Sequence, residues 1–162
     1  MTAKPDEIER AFLLTWDYFK LLAQQRVTHF NLFIVFAGAI AAVTVSQIGT
    51  DVRGNAAAAA LGTAQMFLCF IFQKIDERNK FLIKQTEKTL KSFESDYAND
   101  RYRVFLNEEY DTQRLRDQQT GVPYFRRQLS TSQLYNLFYA VFASAGALGL
   151  VIASALIVRD LL

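Results

Sequence analysis

The sequence predicts an all-α integral membrane protein with three transmembrane helices, an N-terminal amphipathic helix and a helical cytoplasmic insertion between spans two and three. The chain has 162 residues, of which 51% are hydrophobic and 21% charged. The charges are segregated, because no Lys, Arg, Asp or Glu occurs in residues 27–50, 54–73 or 128–158. A mostly apolar run of about 18 residues is typical of a helix that crosses a bilayer.

Residues 1–29 form the predicted N-terminal cytoplasmic segment. Pro5 and the acidic pair after it favour a helix start, so an amphipathic helix is expected over residues 6–26. Apolar positions recur there at spacings of four and three, at Ile8, Phe12, Thr15, Phe19 and Leu22. Such a helix can lie on lipid, pack against other cytoplasmic helices, or act as a sensor or gate.

The first span is predicted at residues 30–48, followed by a short external turn at 49–55. Its 19 residues would extend about 28 Å, close to the thickness of the hydrocarbon layer. A cleaved signal peptide is the alternative, since Ala37, Gly38 and Ala39 are similar to a cleavage site. The preceding segment is too long and too acidic for that alternative, so we expect a retained helix.

The second span is predicted at residues 56–73, and its helix is expected to continue into a cytoplasmic segment at 74–127. No Gly or Pro occurs between residues 74 and 97, which favours one helix from about Ala56 to Tyr97. A break is expected at Asn99 and Asp100, then a helix over 101–118 and a turn at 119–123.

The third span and its entry segment are predicted at residues 128–159, with an external tail at 160–162. Aromatic rings and arginines favour the headgroup level of a bilayer. The predicted interfacial anchors are Trp16, Tyr124, Phe125, Arg126 and Arg127.

The positive charges predict the orientation. Sixteen of the 18 Lys and Arg residues lie in residues 1–26 and 74–127. The positive-inside rule therefore predicts the inner (cytoplasmic) membrane, with the N-terminus in the cytoplasm and the C-terminus outside. Acidic residues balance these cations to a net charge of +2, so no nucleic-acid partner is expected.

The sequence offers little chemistry for catalysis. One histidine, His29, and one cysteine, Cys69, exclude a Cys/His zinc cluster and a Cys–Cys disulfide within one chain. No phosphate-binding loop and no nucleophile elbow occur. We therefore expect no enzyme activity, no metal and no cofactor.

Small residues at helix-interface spacing favour close packing of the spans and a homo-oligomer. The predicted packing positions are Gly38, Ala42, Ala58, Gly62, Ala145, Gly149 and Ala153. Among the polar residues of the second span, Gln65 is nearest its middle and Thr63 lies close by. Both are candidates for an interhelical hydrogen bond or for lining a pore.

Two segments carry a resemblance to known proteins. The first contains Trp16-Asp-Tyr-Phe, Gln25-Arg26 and Phe30-Asn-Leu-Phe. The second comprises residues Phe72 to Lys84 together with Glu87. This chain resembles small bacterial multi-pass inner-membrane proteins, some of which are similar to membrane effectors of phage-defence systems. The resemblance implies a bacterial membrane oligomer and transfers no functional residue.

Two functional hypotheses follow. In the first, the chain is a self-associating, channel-like or membrane-perturbing effector that its cytoplasmic helices control. In the second, the spans anchor a structural or scaffolding module whose cytoplasmic helices bind a protein. The expected partners are the lipid bilayer, further copies of the chain, and a cytoplasmic protein or small-molecule regulator.

Overall fold

The structure, a computed structural model, describes residues 5–97, 103–118 and 130–161. Within these ranges the chain is helical and contains no strand. The four helices are α1 (Pro5–Gln47), α2 (Val52–Tyr97), α3 (Val104–Gln118) and α4 (Thr131–Leu161). Three of them, α1, α2 and α4, are long and apolar enough to cross a membrane. The fold is therefore all-α and has three span-like helices.

The chain divides into two compact units. The charged unit comprises residues 1–26 and 78–128, and the span unit comprises residues 27–77 and 129–162. Helices α1 and α2 each contribute residues to both units. The break expected at Asn99 and Asp100 and the turn expected at residues 119–123 lie outside the described residues.

Helix α1 joins two segments that the sequence analysis treats separately. The amphipathic segment and the first span form one helix from Pro5 to Gln47. No Gly or Pro interrupts residues 6–37, and each backbone N–H in this stretch can continue the helical hydrogen-bond pattern. Helix α2 is likewise continuous and begins at Val52, before the alanine run.

A short turn between α1 and α2 is fixed by side chains that bond its backbone. Gly49 has a φ of 81°, a conformation that glycine adopts without a Cβ penalty. Its N–H donates to Asn55 Oδ1 at 2.8 Å, and the Asn55 side chain is buried. Asp51 Oδ1 accepts from the Gly54 N–H at 2.6 Å and caps the start of α2. The turn therefore sets how α1 and α2 pair within the span unit.

Aromatic residues form the core of the span unit. Phe33 is fully buried, and its ring centroid lies 4.6 Å from that of Tyr139 and 5.6 Å from that of Phe72. The Phe30 and Tyr135 rings stack in parallel at 3.8 Å. These contacts join α1, α2 and α4, so the three span-like helices form one bundle.

The charged unit is built around the start of α3. Phe105 is buried and makes edge contacts with the rings of Trp16 and Phe19, at centroid distances of 5.8 Å and 5.3 Å. The Glu94 carboxylate on α2 accepts hydrogen bonds from the backbone N–H groups of Phe105 and Leu106. Glu94 therefore satisfies two N–H groups that the first turn of α3 leaves without helical partners.

Candidate functional site: the helix interface around Gln65

Helices α2 and α4 approach each other closely at two facing glycines. A Cβ built on Gly62 would lie 2.6 Å from the Gly146 carbonyl oxygen. A Cβ built on Gly146 would lie 2.8 Å from the Gly62 carbonyl oxygen. Both obstacles are backbone atoms, so any larger residue at either position would have to separate the helices.

A second close contact joins α4 to α1. A Cβ on Gly149 would lie 2.9 Å from Thr44 Cγ2, and Thr44 is itself buried. Ala153 on α4 and Ala58 on α2 are fully buried. The interface therefore places small side chains from α2 and α4 where the sequence analysis expects close packing.

Other small residues singled out in the sequence lie elsewhere. Gly38 has no described atom within 4 Å of a built Cβ, and Ala42 and Ala145 are exposed. The buried face of α1 instead runs through Phe33, Ala37 and Thr44. At about 100° per residue, Gly38 lies about 100° from Ala37, and Ala42 lies about 140° from Ala37, so neither is on this face.

Gly146 is the packing residue that the sequence analysis misses. Spacings of both three and four residues share a helix face. The stripe of Gly146, Gly149 and Ala153 uses both spacings, whereas the predicted stripe that starts at Ala145 uses only four. The additional three-residue spacing was the signal that could have identified Gly146.

Gln65 lies beside the glycine contact. Its Cβ and Cγ are both 3.0 Å from a Cβ built on Gly146, and only 1% of the residue is exposed. Neither Nε2 nor Oε1 has a hydrogen-bond partner among the described residues. A buried amide that lacks partners costs about 1–3 kcal/mol for each unsatisfied group. The interface thus contains a buried amide that no described protein group pairs.

A cavity of about 260 Å³ adjoins Gln65. It lies between the last two turns of α1 and the middle of α4, and its lining is largely apolar. The lining residues are Ala41, Thr44, Val45, Ile48, Gln65, Ala145, Gly146, Leu148, Gly149 and Ile152. Such a volume can accept a helix side chain, an acyl chain or several water molecules.

The remaining predicted positions fall on other surfaces. Thr63 is exposed on α2, and its hydroxyl donates to the Ala59 carbonyl oxygen at 3.0 Å. The Trp16 ring contacts Phe19 and Phe105 in the charged unit. The four other predicted anchors, at residues 124–127, lie outside the described residues.

A separate cleft of about 530 Å³ lies between α2 and α3 in the charged unit. Its cations come from one face of α2, and Lys91 forms an ion pair with Glu87 at 2.6 Å. The lining residues are Lys84, Glu87, Lys88, Lys91, Glu108, Thr112 and Gln113. Three lysines and two glutamates line the cleft, and Lys84 and Lys88 are the cations that suit an acidic group of a partner.

No group of His, Cys, Asp and Glu side chains within the described ranges is arranged to hold a metal ion. Cys69 is a free thiol buried in the aromatic core of the span unit.

Comparison with curated proteins gives one strong relative. CD-NTase-associated protein 19 of Escherichia coli is 38% identical over 106 residues, which cover 64% of this chain and 68% of the relative. The chain belongs to the family of CD-NTase-associated protein 19. The name of that relative states an association with a CD-NTase. No protein-family profile and no solved structure matches the chain.

Proposed function

We propose that this chain is a non-enzymatic membrane effector of a phage-defence (CBASS) system and that copies of it associate to perturb the inner membrane. The family relationship supports the phage-defence context. The three apolar helices support a membrane location. The proposed orientation has the N-terminus in the cytoplasm and the C-terminus outside, as the distribution of positive charge favours.

The observation that carries the membrane-perturbing step is the unpaired Gln65 amide. A polar group is costly inside an apolar bundle, and any rearrangement that gave it a partner or water would be favoured. The free energy of the resting bundle would therefore fall if the helices repacked around Gln65. Repacking that exposes Gln65 to water would open a polar path among otherwise apolar helices.

We propose that the charged unit controls the packing of the span helices. Helices α1 and α2 contribute to both units, so a partner that binds the charged unit acts on the same two helices that carry Phe33 and Gln65. The cleft between α2 and α3, which carries three lysines and two glutamates, is the proposed regulator site. Its excess positive charge favours an acidic protein surface or an anionic small molecule.

Membrane potential in bacteria tests the proposal. The full chain, expressed under regulation together with its CD-NTase, should depolarise cells loaded with a potential-sensitive dye. Gln65→Met should reduce the effect, because methionine keeps the volume but cannot pair with water. Ser144→Ala removes an exposed span hydroxyl that bonds Ala140 and should leave the effect intact. Unchanged potential at high expression would exclude a membrane-perturbing effector.

The alternative is a membrane-anchored scaffold, and the cleft between α2 and α3 is the observation that favours it. A scaffold predicts that Gln65→Met is silent. It also predicts that the charge-reversing substitutions Lys84→Glu and Lys88→Glu together abolish co-purification of the full chain with the CD-NTase. The effector proposal instead predicts that Gln65→Met reduces the depolarisation while the chain still co-purifies with the CD-NTase.

A further inference from the structure

One face of α2 is unusual for a helix surface that would meet lipid. On the part of this face nearest the α1–α2 turn the exposed side chains are small, at Ala56, Ala57, Ala60, Thr63 and Ala64. The small face ends one turn further along, where Phe67 is 64% exposed. On α4 the exposed positions mix small residues, such as Ser144, with large ones, such as Leu148. Small residues are enriched where two membrane helices approach closely, because they let the backbones meet.

The cavity beside Gln65 is concave and could receive the small face of α2 from another copy. Thr44 and Gly149 are buried within it, whereas Val45 and Leu148 are 72% and 61% exposed at its edges. The result is a groove between α1 and α4 with buried small residues below and exposed apolar residues on both sides. We call it the α1/α4 groove.

The small face and the groove lie at the same depth. Gly146 faces Gly62, and Gly149 faces Thr44 three residues before the end of α1. Residues 146–152 of α4 therefore run from the level of Gly62 towards the α1–α2 turn. Residues 63 to 56 of α2 cover the same stretch. Copies inserted in one orientation can meet only through surfaces at matching depth, and these two surfaces meet that condition.

We propose that the chain assembles head to tail, with the small face of α2 from one copy seated in the α1/α4 groove of the next. Thr63 and Gln65 are two residues apart, so they lie about 3 Å apart along the axis and on nearly opposite sides of α2. Each copy therefore presents a face in one direction and a groove in another. A contact of this kind forms a ring when the rotation closes.

Thr63 of the second copy supplies an acceptor for the Gln65 amide. A hydroxyl is both a donor and an acceptor, and the Gln65 amide needs one of each. The Thr63 hydroxyl currently bonds Ala59, yet its oxygen retains acceptor capacity for Gln65 Nε2. An acyl chain could fill the same groove but would leave the amide unpaired, so a second copy satisfies more of the site than lipid does.

Disulfide cross-linking in membranes tests the contact, in a Cys69→Ala background. A chain carrying both Ala60→Cys and Leu148→Cys should give a ladder of oligomers on mild oxidation, whereas each single cysteine should leave monomers. The control pair, Ala60→Cys with Val141→Cys, places the second cysteine about 10 Å deeper on α4 and should not give the ladder. A disulfide needs Cα atoms within about 7 Å, so the distinction is sharp.

Two results would overturn the proposal. Dimers from Ala60→Cys alone would show that α2 pairs symmetrically with itself. Absence of the ladder would leave lipid as the occupant of the groove.

A second measurement isolates the polar contact. Thr63→Val and Gln65→Met should each lower the cross-linking yield about threefold, as expected for loss of an interhelical hydrogen bond of average strength. The cross-linking yield of the double variant should be no lower than that of either single variant. Additive losses would contradict a direct pairing of the two side chains.

The inference rests on the oligomerisation that the proposed function includes, and the outcomes are separable. A ladder without depolarisation would support the assembly and exclude the membrane-perturbing function. Depolarisation without a ladder would support the function and exclude this interface.

Discussion

At the residue scale, a few side chains determine how closely the span helices pack. Gly62 and Gly146 meet through their backbones, so this contact has no flexible atom that could move aside. Gln65 lies next to it with both amide atoms unpaired among the described residues. This position therefore combines a close backbone contact with a buried amide that has no partner among the described residues. Changes at these positions should have opposite effects on stability.

Gly146→Leu should destabilise the bundle, because the new side chain must displace the Gly62 carbonyl. Overpacking of this kind costs about 1–3 kcal/mol. Thermal unfolding of the full chain in detergent measures it. Gly38→Leu is the matched control, since no described atom lies within 4 Å of a Cβ there. Equal losses for the two variants would contradict the glycine contact.

Gln65→Met should raise the thermal stability of the monomer. The substitution removes two buried polar atoms without partners and keeps the volume, and each unsatisfied group costs about 1–3 kcal/mol. Detergent-solubilised monomer is the material to measure, since a second copy would supply a partner. A variant less stable than the parent chain would show that the amide is paired in the resting bundle.

At the element scale, polar side chains that bond backbone groups define where helices start. Asp51 and Asn55 hold the α1–α2 turn, and Ser130 with Gln133 forms a reciprocal capping box at the start of α4. Helix α3 is different, because its first turn is capped by Glu94 of another helix. Its start therefore depends on how α2 and α3 pack within the charged unit.

Glu94→Ala should loosen α3. Loss of a capping carboxylate costs about 0.5–2 kcal/mol and leaves two backbone N–H groups exposed to exchange. Hydrogen exchange should accelerate over residues 104–118 while residues 33–44 stay protected. Glu77→Ala removes a carboxylate that pairs with Lys74 on the α2 surface and serves as the control. Unchanged exchange in α3 would mean that Glu94 does not hold it.

The sequence predicts the helices better than their faces. Long uncharged runs and the absence of Gly and Pro predict three span-like helices and a continuous α2. Periodicity also predicts the Ile8–Leu22 stripe, whose members are less exposed than Leu13 and Leu14. The buried face of α1 is not predicted, since it depends on how Phe33 and Thr44 meet other helices. The capping role of Glu94 could not be predicted, because its carboxylate bonds the backbone of Phe105, eleven residues later and on another helix.

At the scale of the whole molecule, composition separates two environments. The span unit buries aromatic and small residues, and the charged unit carries most of the cations and the lysine-lined cleft. Both units contain residues of α1 and α2, so the proposed regulator site lies on the same helix, α2, that carries Gln65. The proposed effector function depends on lipid around the span unit.

Reporter fusions in living bacteria test the central claim most directly. Three spans predict that alkaline phosphatase fused after Asp51 or after Leu162 is active, since both sites lie outside the cytoplasm, and that a fusion after Tyr97 is inactive. The opposite pattern for a reporter that works only in the cytoplasm provides the control. Cytoplasmic signals from both Asp51 and Leu162 would contradict a bundle that crosses the membrane three times.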